Sequence, residues 1–553
     1  MKAIKKLLIS FGLVALFALP GFAWKKVNLI PSGDVVALTN TLRRMITNGE
    51  TYDIVRLEAG TYDLSPLIDA PMAEPYIGKS LLDGPTGTFF EGATGNPDDV
   101  ILDAKGVNAR ILKVASGWEI SGITFKNGNA CGLTATGSYN AGGAIGTTGG
   151  SVTTAKNCKF IGNKSGRGGA VADINCENCH FEANSAQSGW GNGGAAAGAG
   201  GNKLINCTFI CNTNGIDWCA GGAVGGYGLV SGCTVISNTA SLGGGLGECK
   251  GVTNCVFKYN YSSRHGGAVY KCGTITNCTV IGNAGGNGGV MANTSAYGTR
   301  FADNYGSLHI RSEGDWFSTF EKCDVSGNHT YESDFIDCVV HDISNAYVRV
   351  GNMHYPNAYT GTVLYAFNNC RYFRNSLVTK VTLCKWDGNN ALFYASADRP
   401  VTVENCTFAD NIYPYLARSF NTASRDMHFV NTAIVRNFNP SLRNSDVRGY
   451  EASCMDFANC LLGCRDFTPA EGYGFLDTLE LGEDGYKAVR FVDQGEHPYA
   501  PKYSSPLRAH GKPLDWMDDA TDLAGNPRLR DGNVDIGCYQ CWLDPVGTML
   551  LLR

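Results

Sequence analysis

The sequence predicts an all-β solenoid, a coil of short parallel strands, and three observations predict it. The phrase Asn-Cys-x-Phe-x-x-Asn runs from Asn157 to Asn163, from Asn178 to Asn184 and from Asn206 to Asn212. It continues in looser form from Cys233 to Asn238, Cys255 to Asn260, Cys278 to Asn283, Cys323 to Asn328 and Cys406 to Asn411, with Thr299 and Thr432 in the Cys place ahead of Asn304 and Asn437. A second phrase, Gly-Gly-Ala-Val or close to it, interleaves at Gly142, Gly168, Gly193, Gly221, Gly244, Gly266 and Gly288. Both recur every 20 to 28 residues, so the chain reads as one stack of similar units. Repeats this short exclude helix-pair solenoids, whose units need roughly 33 to 47 residues.

Within each phrase Cys and Phe lie two apart and so point to one face of a strand, while their polar neighbours face out. Gly and Asn supply the left-handed backbone that tight corners demand. Stacking one repeat on the next, at a strand spacing of about 4.8 Å, converts each repeated residue into a ladder. Cys and Phe ladders then fill the bore, and an Asn ladder bonds amide to amide at a corner.

Ahead of the repeats, residues 1–23 form a secretory signal: Lys2, Lys5 and Lys6, an apolar run over 7–19, and Gly21 and Ala23 at a small-residue cleavage site. Val35, Leu38, Leu42, Met45 and Ile46 fit one face of a short helix, started near Ser32 or Asp34 and stopped by Gly49. Asp53 to Tyr62 resembles the usual first coil of the parallel β-helix proteins grouped with pectate lyases, which implies cap and first coils over 24–141 ahead of the repeat coil over 142–481. Between Cys323 and Cys406 the register loosens, with Cys338, Cys370 and Cys384 at uneven spacing. Glycine thins there, and His354, Tyr355, Arg371, Tyr372, Arg374, Trp386 and Asp387 gather. Loops that leave a solenoid often build its binding face, so these seven are the candidate ligand-binding residues, as aromatics and Arg for stacking on sugars or holding their acidic groups. The bland alternative is a set of looser coils with ordinary surface residues.

The composition narrows the partners. The full chain carries 45 Lys and Arg against 50 Asp and Glu. Removal of the three signal lysines leaves 42 against 50, a mature charge of −8, which argues against nucleic acid. No later run reaches the roughly 20 apolar residues of a membrane span. The 22 cysteines suggest disulfides, but about half sit at the inward repeat position, where a small thiol packs well and parallel side-chain vectors make bridging awkward. Off the ladder, Cys249 with Cys272, the group Cys454, Cys460 and Cys464, and Cys538 with Cys541 are better placed for bridges. Cys176 and Cys179 spell C-x-x-C, yet Cys179 belongs to the ladder, so a structural role is expected.

The Gly-Gly-Ala-Ile and Phe-x-x-Asn phrases resemble the repeats of chlamydial polymorphic outer-membrane proteins and, more broadly, the right-handed parallel β-helix proteins grouped with pectate lyases. The resemblance implies a right-handed, single-stranded parallel β-helix with an N-terminal capping helix. The segment from Tyr503 through Asp522-Leu523-Ala524-Gly525-Asn526-Pro527-Arg528 to Asp535-Ile536-Gly537-Cys538-Tyr539-Gln540 resembles one common at the end of exported bacterial β-helix proteins. It implies a C-terminal cap over 482–541 that covers the last open strand edge, followed by a tail, 542–553, that serves sorting or anchoring. Asp522, Asn526, Asp531, Asn533 and Asp535 are oxygen ligands suited to calcium, although turn chemistry explains them equally well.

That scaffold hosts lyases, hydrolases, epimerases and adhesins, so fold alone does not choose. The hydrolase phrases Asn-Thr-Asp and Gly-His-Gly are missing, and the outward repeat positions hold few paired carboxylates. Asp98-Asp99, Asp518-Asp519 and Arg264-His265 read as loop or corner residues, while Asp217-Trp218 and Asp315-Trp316 are exposed singletons that could touch sugar. No catalytic residue is singled out. The expected protein is a monomeric, exported or cell-surface protein of a bacterium, adhesin-like, that binds a glycan or another surface. A polysaccharide lyase or glycoside hydrolase is the alternative, and a structural envelope component a further one.

Overall fold

In the computed structural model residues 26–541 are described, apart from single positions and the stretches 73–78, 132–140, 148–152, 188–191, 311–317, 328–329, 344–364, 384–390, 395–399, 419–425, 439–446, 449–453 and 483–486. The protein is an all-β parallel β-helix. One coil shows the plan. Thr154–Lys156 forms the first wall, Asn157 turns the corner at φ 49°, Lys159–Ile161 forms the second wall, and Gly162 turns again at φ 65°. The third side carries two short strands, Lys164–Ser165 and Val171–Ala172, before Asp173 (φ 59°) leads into the next coil. Each strand pairs in parallel with its equivalent one coil on: Ala155 with Cys176, Phe160 with Phe181, Lys164 with Ser185 and Val171 with Ala196.

The helix is Val35–Thr47, with Asp34 as N-cap accepting the Ala37 N–H at 2.8 Å. Leu38, Leu42 and Met45 are buried as the spacing predicts, whereas Ile46 points to solvent. The coil starts earlier than the sequence suggested, because Val27–Ile30 pairs with Ile54–Leu57.

All three ladders form. In the Asn ladder, Asn163, Asn184, Asn212, Asn238, Asn260 and Asn283 each donate a side-chain N–H to the next Oδ1 at 2.9–3.1 Å, ending on Asn304. The Phe ladder stacks Phe160 on Phe181 at 4.7 Å and Phe181 on Phe209 at 4.6 Å. It then changes wall: Phe301, on the second wall, meets Phe320, on the first, edge-on at 5.6 Å, and Phe335 and Phe373 continue along the first wall. This exchange of walls is why the phrase dissolves after Cys323 while the coils do not.

At the Cys position, Cys158, Cys179, Cys207, Cys233, Cys255, Cys278, Cys323, Cys338, Cys406 and Cys460 are buried and unbridged. Burial pushes the Cys460 thiol up to about 12. Thr299, Ser376 and Thr478 replace Cys on single coils, and their hydroxyls accept the backbone N–H of Cys278, Cys338 and Cys460 at 3.1–3.3 Å. Cys233 Sγ accepts the Cys207 N–H at 3.4 Å in the same way, so the site selects a small side chain that can accept a hydrogen bond. Cys249, Cys272 and Cys538 are also buried and free, which corrects the expected bridges from Cys249 to Cys272 and from Cys538 to Cys541.

The C-terminal segment lies along the flank of the coil. Val489, Phe491, Tyr499, Leu507, Ile536 and Tyr539 pack on the outward side chains of the second wall, Leu377, Ala409, Ala433, Val435 and Leu461. The corner residues Asn375, Asn405 and Asn431 donate to the carbonyls of Thr521, Asp535 and Lys512 at 2.6–3.3 Å. These outward positions are apolar in the last coils because they are interior. No helix among the described residues is long and apolar enough to cross a membrane.

Candidate functional site

Where the C-terminal segment ends its run along the second wall, it leaves a cleft of about 680 Å³. The floor comes from outward residues of consecutive coils: Asp324, Val339 and His341, then Leu377 and Thr379. One side is the corner between the second and third walls. There Asp342, Lys380, Asp410 and Arg436 occupy equivalent left-handed positions (φ 52–58°), giving a row of alternating charge. The other side is the C-terminal segment, with Asp493, Glu496, His497, Tyr499 and Tyr539.

Two networks fix this lining. Tyr499 joins its hydroxyl to Thr379 Oγ1 at 2.6 Å and donates to Asp410 Oδ2 at 2.9 Å. Arg436 donates to Asp410 Oδ1 at 2.9 Å and to Asp493 Oδ1 at 2.6 Å, under the rings of Phe491 and Tyr499. In the second network His341 bonds Asp324 through Nε2 at 2.8 Å and Asp342 through Nδ1 at 2.5 Å. Both ring nitrogens therefore face carboxylates, an arrangement only the imidazolium satisfies as a double donor. Among the described residues Lys380 has no ion-pair partner.

The displaced ionisations in the cleft all favour the protonated form. The hydrogen bond to Asp324, then that to Asp342, holds His341 above its ordinary value; burial raises Tyr499; and the carboxylates of Asp410 and Asp493 outweigh burial to raise Arg436. The lining is thus a set of hydrogen-bond donors beside fixed carboxylates. Because folding raises the His341 pKa, its contribution to stability is complete below the free imidazole value of about 6.5 and is lost as pH rises through the folded value. The His341 ring proton is expected to titrate above that free value by NMR, and to return toward it in Asp324→Asn; a midpoint at or below it in the native protein would remove the ion pair.

The sequence-predicted residues fall elsewhere. His354, Tyr355, Trp386 and Asp387 lie outside the described residues. Arg371, Tyr372 and Arg374 do come together, on the outside of the first wall. Arg371 pairs with Asp334 at 2.7 Å, Tyr372 donates to Glu404 at 2.6 Å, and Arg374 lies 5.0 Å from the ring of Trp516, whose Nε1 also donates to Glu404. Arg371 and Tyr372 link neighbouring coils, Arg374 reaches the C-terminal segment at Trp516, and none of the three lines the cleft. The carboxylate of Asp522, read as a calcium ligand, accepts the backbone N–H groups of Ala524, Asn526 and Gln540. Among the described residues no group of three or more His, Cys, Asp or Glu side chains is arranged to hold a metal.

Sequence reasoning missed Asp410 and Arg436. Each immediately precedes a ladder asparagine, Asn411 and Asn437, at a corner that is Gly162, Ala183, Cys211, Ser237, Tyr259 or Asp303 in the regular coils. Asp303 is charged at the same corner and does not line the cleft, so the residue type alone does not mark the place.

No family profile matches the sequence, and no curated protein matches it. Solved structures similar to the chain include the A-module of a mannuronan C-5 epimerase from Azotobacter vinelandii, 13% identical over 71% of this chain and 95% of that one, with a TM-score of 0.29. A PL6 family alginate lyase is 11% identical over 82% of this chain, with a TM-score of 0.22, and the match spans 53% of the lyase. The tailspike of an E. coli bacteriophage, solved with a hexasaccharide, is 11% identical over 83% of this chain and 76% of that one, with a TM-score of 0.27. At these scores none of the three carries an argument, and function has to be read from the cleft itself.

Proposed function

We propose that this is an exported, adhesin-like β-helix protein that binds a glycan, and that the cleft between the second wall and the C-terminal segment receives it. The observation that carries the reading is the lining: Tyr499, Thr379, Asp410, Arg436, His341 and Asp324 are held in two fixed networks around an open volume of about 680 Å³. Preorganised donors and acceptors beside tyrosine rings suit a polyhydroxylated ligand, because hydroxyls both donate and accept. His341, Tyr499 and Arg436 are all pushed toward holding their protons, which supports binding over proton abstraction. Export rests on the signal at residues 1–23.

Calorimetry of the mature protein with neutral hexasaccharides and with oligouronates tests the proposal. Tyr499→Phe and Asp410→Asn are each expected to weaken binding about tenfold, the value of one hydrogen bond to a charged group. Binding unchanged in both variants would remove the ligand from the cleft. Unsaturated uronate ends produced by the native protein and lost in His341→Ala would replace the binding reading with a lyase, for which His341 is the proton donor within reach.

A further inference from the structure

A second feature of the surface lies in the regular coils, on residues that the cleft does not use. Trp218 is 59% exposed, and its backbone is left-handed at φ 63°. Left-handed residues elsewhere in these coils occupy the repeating corners, at Asn206, Cys211 and Glu248 for example; Trp218 belongs to none of those rows. A bulky residue in that conformation is strained, and it persists only where its surroundings over-determine it.

The surroundings do so across three coils. The Arg264 guanidinium lies 3.9 Å from the centre of the Trp218 ring. The same guanidinium grips Asp217 with two parallel bonds of 3.0 Å each. Ser241, on the intervening coil, accepts the Trp218 N–H at 3.2 Å and donates to Asp217 at 3.2 Å. With one ring face against Arg264, the exposed area belongs to the opposite face and the edge of the indole. An aromatic side chain normally hides its rings; here strain, a bidentate ion pair and a cation–π contact combine to hold one ring face toward solvent.

We propose that Trp218 is a sugar-stacking platform for a neutral hexopyranose with an axial C–H face, bound apart from the cleft. The electron-rich face of the indole attracts the polarised axial C–H groups of a pyranose as it attracts cations, and Arg264 on the far side keeps the ring from turning. Asp217, with a side chain 66% exposed, stands beside the ring as an acceptor for sugar hydroxyls. Arg264 is already neutralised by Asp217, so it offers no spare positive charge for a uronate carboxylate, which favours a neutral sugar. Such a platform on a long stack adds a second point of attachment for one glycan chain, which raises avidity without raising either affinity.

A site-specific readout, the indole N–H resonance of Trp218 in the mature protein labelled with nitrogen-15 tryptophan, provides the test; the resonance is assigned by its absence in Trp218→Phe. Millimolar cellohexaose is expected to shift it in a saturable way, and an oligogalacturonate of equal length to shift it less. Arg264→Gln, which removes the support behind the ring, should reduce that shift while circular dichroism stays that of the native protein. No shift of the Trp218 resonance, or an equal shift with the oligogalacturonate, would each overturn the platform. Either outcome leaves the cleft proposal standing, because that proposal is read by calorimetry of the Tyr499 and Asp410 variants.

Discussion

Asn238→Ala is expected to destabilise the coil by about 4 kcal/mol, more than the loss of one side chain's own contacts would suggest. The amide sits buried in the middle of the Asn ladder and works in both directions. Its Nδ2 donates to Asn260 Oδ1 at 3.0 Å, to the Phe209 carbonyl at 3.1 Å and to the Ile236 carbonyl at 3.0 Å. Its Oδ1 accepts the Asn212 backbone N–H at 2.8 Å and the Asn212 Nδ2 at 2.9 Å. Alanine leaves the Asn212 backbone N–H buried without a partner, cuts Asn212 Nδ2 back to its bond with the Phe181 carbonyl, and takes a donor from the Phe209 carbonyl and from Asn260 Oδ1; each bond lost at a buried group costs about 1–3 kcal/mol. Asn238→Asp separates the two directions. The carboxylate still accepts from Asn212, but its second oxygen faces carbonyl oxygens, an arrangement relieved only by protonation. Its folded pKa is therefore raised, and the variant regains stability as pH falls through that value and loses it above. Guanidinium unfolding at pH 4 and pH 7 reads both effects; an Asn238→Ala loss below about 1 kcal/mol would show that water replaces the ladder.

The asparagines could be read from the sequence because a stacked coil repeats its corner geometry, and a repeated constraint leaves a repeated residue. The same logic exposed the thiol position, where Cys, Thr and Ser interchange because each can accept the N–H of the preceding coil. Regularity was lost to the eye after Cys323 because the Phe ladder moved three residues ahead of the thiol position, from Phe160 after Cys158 to Phe335 before Cys338. The bore stayed filled, but the phrase that named it was gone. The cleft was less legible still. Asp324, His341, Thr379, Asp410 and Arg436 are joined by stacking, and Tyr499 reaches them only through a segment that docks 89 residues beyond Asp410. No local pattern encodes that docking, since the apolar Leu377, Ala433 and Leu461 that receive it look like ordinary strand residues. Arg371, Tyr372 and Arg374 drew attention as a cluster of aromatics and charge, and they are one, but their neighbours are Asp334, Glu404 and Trp516.

Gly194→Ala, a single added methyl, is expected to cost about 3 kcal/mol or more. Gly194 is the second glycine of a Gly-Gly-Ala-Ala phrase, and positive φ is not its reason for being glycine. A Cβ there would run into the carbonyl oxygen of Gly222 on the next coil and lie 2.6 Å from the carbonyl carbon of Thr213, where real Cβ atoms essentially never come within 3.0 Å. Both obstacles are backbone, so neither can rotate away. Gly143, Gly169, Gly222 and Gly244 meet carbonyls in the same manner, which makes the row a seam where the third side folds against itself. Gly201 is the control. It is exposed, a Cβ there meets nothing within 4 Å, and Gly201→Ala should stay within about 0.5 kcal/mol of the native protein. In a stack held by nearest-neighbour interfaces the damage stays local. Hydrogen exchange should therefore show protection falling in the coils around Gly194, including Thr208–Ile210 and Val224–Gly225, while Met427–Val430 and Met455–Ala458 keep theirs. Unchanged protection around Gly194 would mean that the two coils can separate at little cost, and that the repeated glycine pair is there for the first residue's left-handed turn alone.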